Sequence, residues 1–288
     1  DRLMGGRLLA QEARAKGLDN TDEFRAQMKQ NGEDILITAL FQKEVESKVK
    51  VSDTEIKEES KKMKEADKKL EEKDAEVRAG RMIYEKGLRK VQEELLANAK
   101  KESPGSIDNA VIGRVGKGDK VGDDEAIATI GAEKITYGEV KKILQGIVAG
   151  SSHGTDDLSR NTVAIGRILE RELSKRALLA LAKKQGIEGS KWMEDVRKGT
   201  ERILLINFIA EKEILKGITV TDKDIEATYK DHAEMFMKDG KKIPLAQIRD
   251  QIREFVSTNM KRKTIEQYID GLKRKAKITV NEAVLPKV

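Results

Sequence analysis

The chain's 288 residues suit two modest domains, and 57 Lys and Arg against 51 Asp and Glu leave a net charge of only +6 with both signs interspersed, which excludes the one-sided basic face of a dedicated nucleic-acid binder. Three prolines and 3% aromatics amid abundant Ala, Leu, Glu, Lys, Arg and Gln argue for a mainly α chain with small β elements and against a large β-sandwich or barrel. The lack of cysteine excludes disulfides, thiolate chemistry and Cys-type zinc sites, and fits either a cytoplasmic chain or an exported one that avoids thiols.

The first segment, "GGRLLAQEARAKG", is an amphipathic helix closed by Gly17, a residue that takes a left-handed C-cap cheaply. A second helix carries apolar residues at Ile35, Leu36, Ala39, Leu40 and Val45, and Ser52 with Glu55 three positions on forms a capping box that starts a third. "KKMKEADKKLEEKDAEV" and "GLRKVQEELLANAKK" read as charged helices with a thin stripe at Leu88, Val91, Leu95 and Leu96. A Gly-, Ser-, Asp- and Lys-rich loop is expected from about Ser103 to Asp124. Ile127, Thr129 and Ile135 around Gly131 predict a short β-hairpin, and Thr136 caps the helix after it. "ERELSKRALLALAKKQG" is again a helix closed by Gly186, followed by a helix with Leu204, Leu205, Phe208, Ile209 and Ile214, and by Thr221 as the N-cap of another. A turn at Asp239-Gly240 precedes one long helix from Pro244 to about Arg274. The strand "KITV" is then expected to pair with the 127–136 hairpin. No apolar run approaches the ~18–20 residues of a membrane span.

These segments repeat. A shift of 169 positions places Arg7, Leu9, Ala13 and Gly17 on Arg176, Leu178, Ala182 and Gly186, then Leu36, Ile37, Lys43 and Glu44 on Leu205, Ile206, Lys212 and Glu213, then Val51, Asp53 and Ile56 on Val220, Asp222 and Ile225. The matched glycines and the V-[ST]-D punctuation lie outside helical periodicity, so shared amphipathicity does not account for them. Two related helical modules are therefore expected: residues 1–75 without an N-terminal hairpin, 76–124 as an insert and linker, and 125–288 as the complete second module. Downstream of Ile56 the copies read as divergent. The first copy's hairpin is expected to have been removed or to be supplied by another segment, and taking it from a second molecule would yield a homodimer by exchange.

The ordered strings "ATIGAEKIT", "LLALAKKQG", "ITVTDKDIEATYKDHAEMF" and "IPLAQIRDQIREF" to "KRKAKITV" resemble the SurA-like chaperone module of exported parvulin-type peptidyl-prolyl isomerases, over 126–285 and, in the first copy, about 3–60. The resemblance implies an ATP-independent helical cradle for unfolded or nascent outer-membrane and secreted proteins. It also implies a periplasmic or otherwise extracytoplasmic location, with a signal peptide or lipid-bearing segment upstream, and no cofactor. That family often inserts an isomerase domain after the V-[ST]-D helix, opening with a strand of the form "vrasHILv". Here "VRAGRMIYEK" places Arg81 where the family has its active-site His, so residues 76–124 read as an eroded or abbreviated domain or a helical insert, without catalytic residues. A divergent isomerase and a scaffold subunit of a cell-surface complex are the alternative functions.

Other motifs carry less. "GRVGKGDK" has the glycine spacing of a phosphate loop, but Asp119 stands where Lys is required. His153 and His232 are isolated from each other, and neither belongs to a convincing metal-ligand set. Trp192, Met193, Phe208, Met235, Phe236, Met237 and Phe255 are the candidate client-binding residues, because thioethers and aromatic rings suit a surface that must accept many sequences; core filling is the competing reading.

Overall fold

The computed structural model describes residues 2–149, 158–238 and 241–277. Among them the chain forms α1 (Arg2–Ala15), α2 (Asp22–Lys48), α3 (Asp53–Ala66), α4 (Glu72–Glu102), β1 (Gly105–Ile107), α5 (Asn109–Lys117), β2 (Ala126–Ile130), β3 (Glu133–Thr136) and α6 (Tyr137–Ala149). There follow α7 (Thr162–Lys184), α8 (Lys191–Ile209) running into a π-helical turn at Ala210–Ile214, α9 (Asp222–Asp231), β4 (Met237–Lys238), β5 (Lys241–Lys242) and α10 (Leu245–Lys275). The protein is mainly α with one small antiparallel sheet, order β1-β2-β3, and a two-stranded β4-β5 ribbon.

The repeat is visible in the boundaries. Helices α1 and α7 end at Ala15 and Lys184, α2 and α8 begin at Asp22 and Lys191, and α3 and α9 begin at Asp53 and Asp222, each pair 169 positions apart. Gly17 and Gly186 both adopt left-handed backbone, at φ 71° and 70°. Both capping boxes form: Ser52 with Glu55, and also Thr221 with Asp224, an aspartate doing at N3 what glutamate does in the first copy. Hydrogen bonds from Ser52 and Thr221 hold both acidic carboxyls below their ordinary range. A β-carbon placed on Gly17 or Gly186 would meet nothing within 4 Å, so Gly17→Ala and Gly186→Ala are each expected to cost only the backbone strain, about 1–2 kcal/mol by urea titration.

The likeness extends past Ile56, where the sequence reads as divergent. After α3 and α9 each copy continues into a 31-residue helix, α4 and α10, related by a shift of 173. Ala75 and Ala79, buried on α4, occupy the places of Ile248 and Ile252, buried on α10. The four-residue difference in shift and the substitution of alanine for isoleucine hid this in the sequence.

Contacts divide the chain into a continuous unit, residues 32–194, and a discontinuous unit, residues 1–31 with 195–288. Those boundaries are not the repeat boundaries. In the continuous unit, Leu36, Ala39 and Leu40 of copy one join the core built by Ile165, Leu169, Ala177 and Leu181 of copy two, together with α4, α5 and the sheet. In the discontinuous unit, Leu9, Ala10 and Ala13 of copy one join Leu204, Leu205, Phe208 and Ile209 of copy two, and α10 lays Ile265, Tyr268, Ile269 and Leu272 against them. Each unit thus takes its first helix from one copy and the second half of its second helix from the other. A smaller core in the discontinuous unit packs Ile225 of α9 on Ile248, Ile252 and Val256 of α10.

One expectation needs correction. Residues 103–124 are not simply a loop: Gly105–Ile107 is a strand, and α5 buries Val111 and Val115, with Asp108 accepting hydrogen bonds from the Ala110 and Val111 N–H groups as its N-cap. Three glycines within "IGRVGKG" masked that helical period. The pairing expected for "KITV" falls on residues 278–280, which with the Asp239-Gly240 turn and His153 lie outside the described residues.

Candidate functional site

Helix α9 ends at His232, whose N–H donates to the Thr228 carbonyl, and the chain then makes one 3-10 turn over Ala233–Phe236 before entering the β4-β5 ribbon. This turn sorts the side chains. Phe236 stacks on Tyr229 at 5.8 Å and tucks against the Ile225–Ile252 core, while the Tyr229 hydroxyl donates to the Ile243 carbonyl at 2.5 Å. Its neighbours Met235 and Met237 point the other way and are 64% and 47% exposed. On α10, Val256 faces the core and the preceding Phe255 faces out, 39% exposed, with its ring edge-to-face with His232 at 6.2 Å. Met235, Met237 and Phe255 are therefore exposed apolar side chains of the α9–α10 hairpin and the turn between its helices, with the exposed His232 ring against Phe255. Lys242 lies over the Tyr229 ring at 4.3 Å, a cation beside the patch.

The other sequence candidates divide. Trp192, on the first turn of α8 in the continuous unit, is 49% exposed, but the next residue, Met193, is 6% exposed in that unit's core. Adjacent positions on a helix lie about 100° apart, so one of the pair faces in when the other faces out. Phe208 is 4% exposed and edge-to-face with Phe24 at 5.3 Å. Met193 and Phe208 are core residues and are corrected as such: Phe24 and Met193 occupy equivalent repeat positions, and both are buried.

Arg81 lies in the middle of α4, ion-paired to Glu85 one turn on, where the family comparison would have a strand. Beside it is an open groove of about 570 Å³ between α3 and α4, lined by Asp53, Ile56, Lys57, Glu76, Val77, Gly80 and Arg81. Gly80 keeps this groove open, since the equivalent place on α10 is held by Arg253, whose guanidinium lies near Asp222 beside the Arg249–Asp222 ion pair at 2.6 Å. Nothing in "VRAGRMIYEK" alone announced that groove, because it depends on how closely α3 approaches α4. No helix among the described residues is long and apolar enough to cross a membrane. No family model matches the chain, and neither does any curated protein or solved structure.

Proposed function

We propose that this chain is an ATP-independent chaperone that holds unfolded or nascent polypeptides, outer-membrane or secreted proteins in an extracytoplasmic compartment, through apolar surface on its helical hairpins. The observation that carries the reading is the exposed set Met235, Met237 and Phe255 on the α9–α10 hairpin, outside a core that already employs Tyr229, Phe236 and Val256. Two exposed, flexible thioethers and an exposed ring can repack around different side chains, which suits clients of many sequences. Ordering a disordered client offsets part of the burial gain, so each contact is weak and reversible. The resemblance to SurA-like modules supports the same class, and the compartment rests on it.

The test is suppression of aggregation of an urea-unfolded outer-membrane protein diluted into buffer. The wild-type protein is expected to suppress it at near-stoichiometric ratio, and the triple variant Met235→Ser/Met237→Ser/Phe255→Ser to need about ten-fold more protein while melting at the wild-type temperature, since three partly exposed side chains give up roughly 1–2 kcal/mol of client contact. Equal suppression by wild type and variant would overturn the assignment of the patch. Failure of the wild type to suppress, with acceleration of proline isomerisation in a model peptide, would favour the divergent isomerase instead.

A further inference from the structure

We propose that the outer edge of β1 is a second polypeptide site, in the continuous unit, which captures an extended segment by adding it to the sheet as a fourth strand. The proposal stands on backbone geometry and not on the apolar patch of the discontinuous unit.

The register fixes which groups face outward. β2 and β3 close on the two-residue loop Gly131-Ala132, so Ile130 and Glu133 exchange hydrogen bonds and the next pair, Thr129 and Lys134, turns its backbone groups away from one another. Two contacts agree with this alternation: the Lys134 carbonyl accepts a hydrogen bond from the Arg176 guanidinium on β3's outer side, and the Ile127 carbonyl accepts from the Asp108 N–H on the β1 side. On β1, then, Ser106 bonds to Thr129, and Gly105 and Ile107 direct their N–H and C=O groups away from β2. Among the described residues no hydrogen bond engages those four groups.

The two edges of the sheet are treated differently. At β3, Arg176 caps the outward carbonyl and pairs with Glu133 and Glu139, so an incoming strand would have to displace a cation. At β1 nothing comparable intervenes; the edge opens on a groove of about 510 Å³ whose lining includes Pro104, Gly105, Ile107 and Leu173, with the Lys100–Glu170 ion pair at its rim. A β-carbon on Gly105 would stand 2.7 Å from Leu173 Cδ2, so a larger residue there would make the Leu173 side chain shift. An exposed backbone donor–acceptor ladder beside a mixed groove is what an extended peptide recognises: main-chain bonds hold any sequence, and alternate side chains meet the half-buried Ile107 and the polar Ser103 and Asn109. A second copy of the chain is the poorer occupant. Three residues of strand extend only about 10 Å, and pairing two such edges covers far less than the ~1,200 Å² that a specific dimer requires.

The experiment uses the full chain, isotope-labelled, with an acetylated and amidated Thr-Val-Thr-Val-Thr-Val peptide and the same peptide fully N-methylated. Saturating parent peptide is expected to slow hydrogen exchange at the Gly105 and Ile107 amides about ten-fold and the N-methylated peptide to leave them unchanged. Ile107→Pro removes one outward donor without cutting a β1–β2 bond, and is expected to weaken peptide binding about ten-fold, while Ile107→Val binds like wild type. The Met235/Met237/Phe255 triple variant keeps the protection, which separates this site from the apolar patch. Equal binding of both peptides by the wild type, or no protection at Gly105 and Ile107, would overturn the proposal even if Ile107→Pro fails to fold. Protection of these amides without peptide, in a protein that sediments as a dimer, would also overturn it in favour of self-association.

Discussion

Leu40→Ala is expected to remove about 2–5 kcal/mol from the continuous unit, and its damage should surface in the other sequence copy. Leu40 has no exposed surface and lies in one core with Ile165, Leu169, Ala177 and Leu181 of α7. Its repeat counterpart, Ile209, is equally buried but belongs to the core of the discontinuous unit, beside Leu9, Ala10 and Ala13 of α1. If each copy packed on itself, deleting Leu40 would loosen α1. The observed packing gives the opposite expectation: Leu40→Ala accelerates hydrogen exchange in α7 and α4 and leaves α1 protected, whereas Ile209→Ala accelerates it in α1 and the second half of α10 and leaves α7 protected. Trp192, the sole tryptophan, begins α8 within the continuous unit, so its fluorescence should report the Leu40→Ala transition at lower urea than the wild type. The reciprocal pattern, with Leu40→Ala releasing α1, would show that the copies pack independently.

The same pair shows what the sequence could and could not reveal. Helix existence, the paired glycine caps, the Ser52 capping box, the Thr221 N-cap and the burial of Leu36, Leu40, Leu205 and Ile209 followed from periodicity and punctuation, which are local. Which helix each stripe faces is not local. Both Leu40 and Ile209 demand an apolar partner, but α1 and α7 carry similar stripes, and nothing in either stripe distinguishes its own copy from the other. At the candidate site the limit was orientation. Met235, Met237 and Phe255 were legible as apolar residues in a polar setting, but Met193 and Phe208 have the same composition and face inward. The β1 edge was illegible, because "SPGSID" carries every mark of a turn and becomes a strand only through its pairing with β2.

Ala79→Phe is expected to detach α3 from α4 while the rest of the continuous unit stays folded. Ala75 and Ala79 of α4 and Ser60 of α3 are almost wholly buried, and a methyl group on Gly80 would already stand 3.5 Å from Ile56 Cδ1. Where the discontinuous unit fills the corresponding hairpin with Tyr229, Ile248 and Ile252, this one uses Ser60, Ala75 and Ala79, so its helices meet over small side chains and have no slack for a ring. Overpacking a tight core typically costs 1–3 kcal/mol, and a ring in place of a methyl at a fully buried position stands at or above the upper end of that range. Helix α3 has little to resist with: its only large apolar residues are Ile56 and Met63 in a mostly charged sequence, and a 14-residue helix is marginal once its packing is lost. Hydrogen exchange in Ala79→Phe should therefore show 53–66 unprotected, with 162–184 and the sheet as in wild type, and circular dichroism should lose about one such helix of signal. The control is Ile252→Ala at the equivalent position, which leaves a cavity instead of a clash and should cost a comparable 2–5 kcal/mol in the discontinuous unit. Undisturbed protection of α3 in Ala79→Phe would mean that the hairpin can open to admit a ring, and that the groove beside Gly80 is wider in solution than its lining implies.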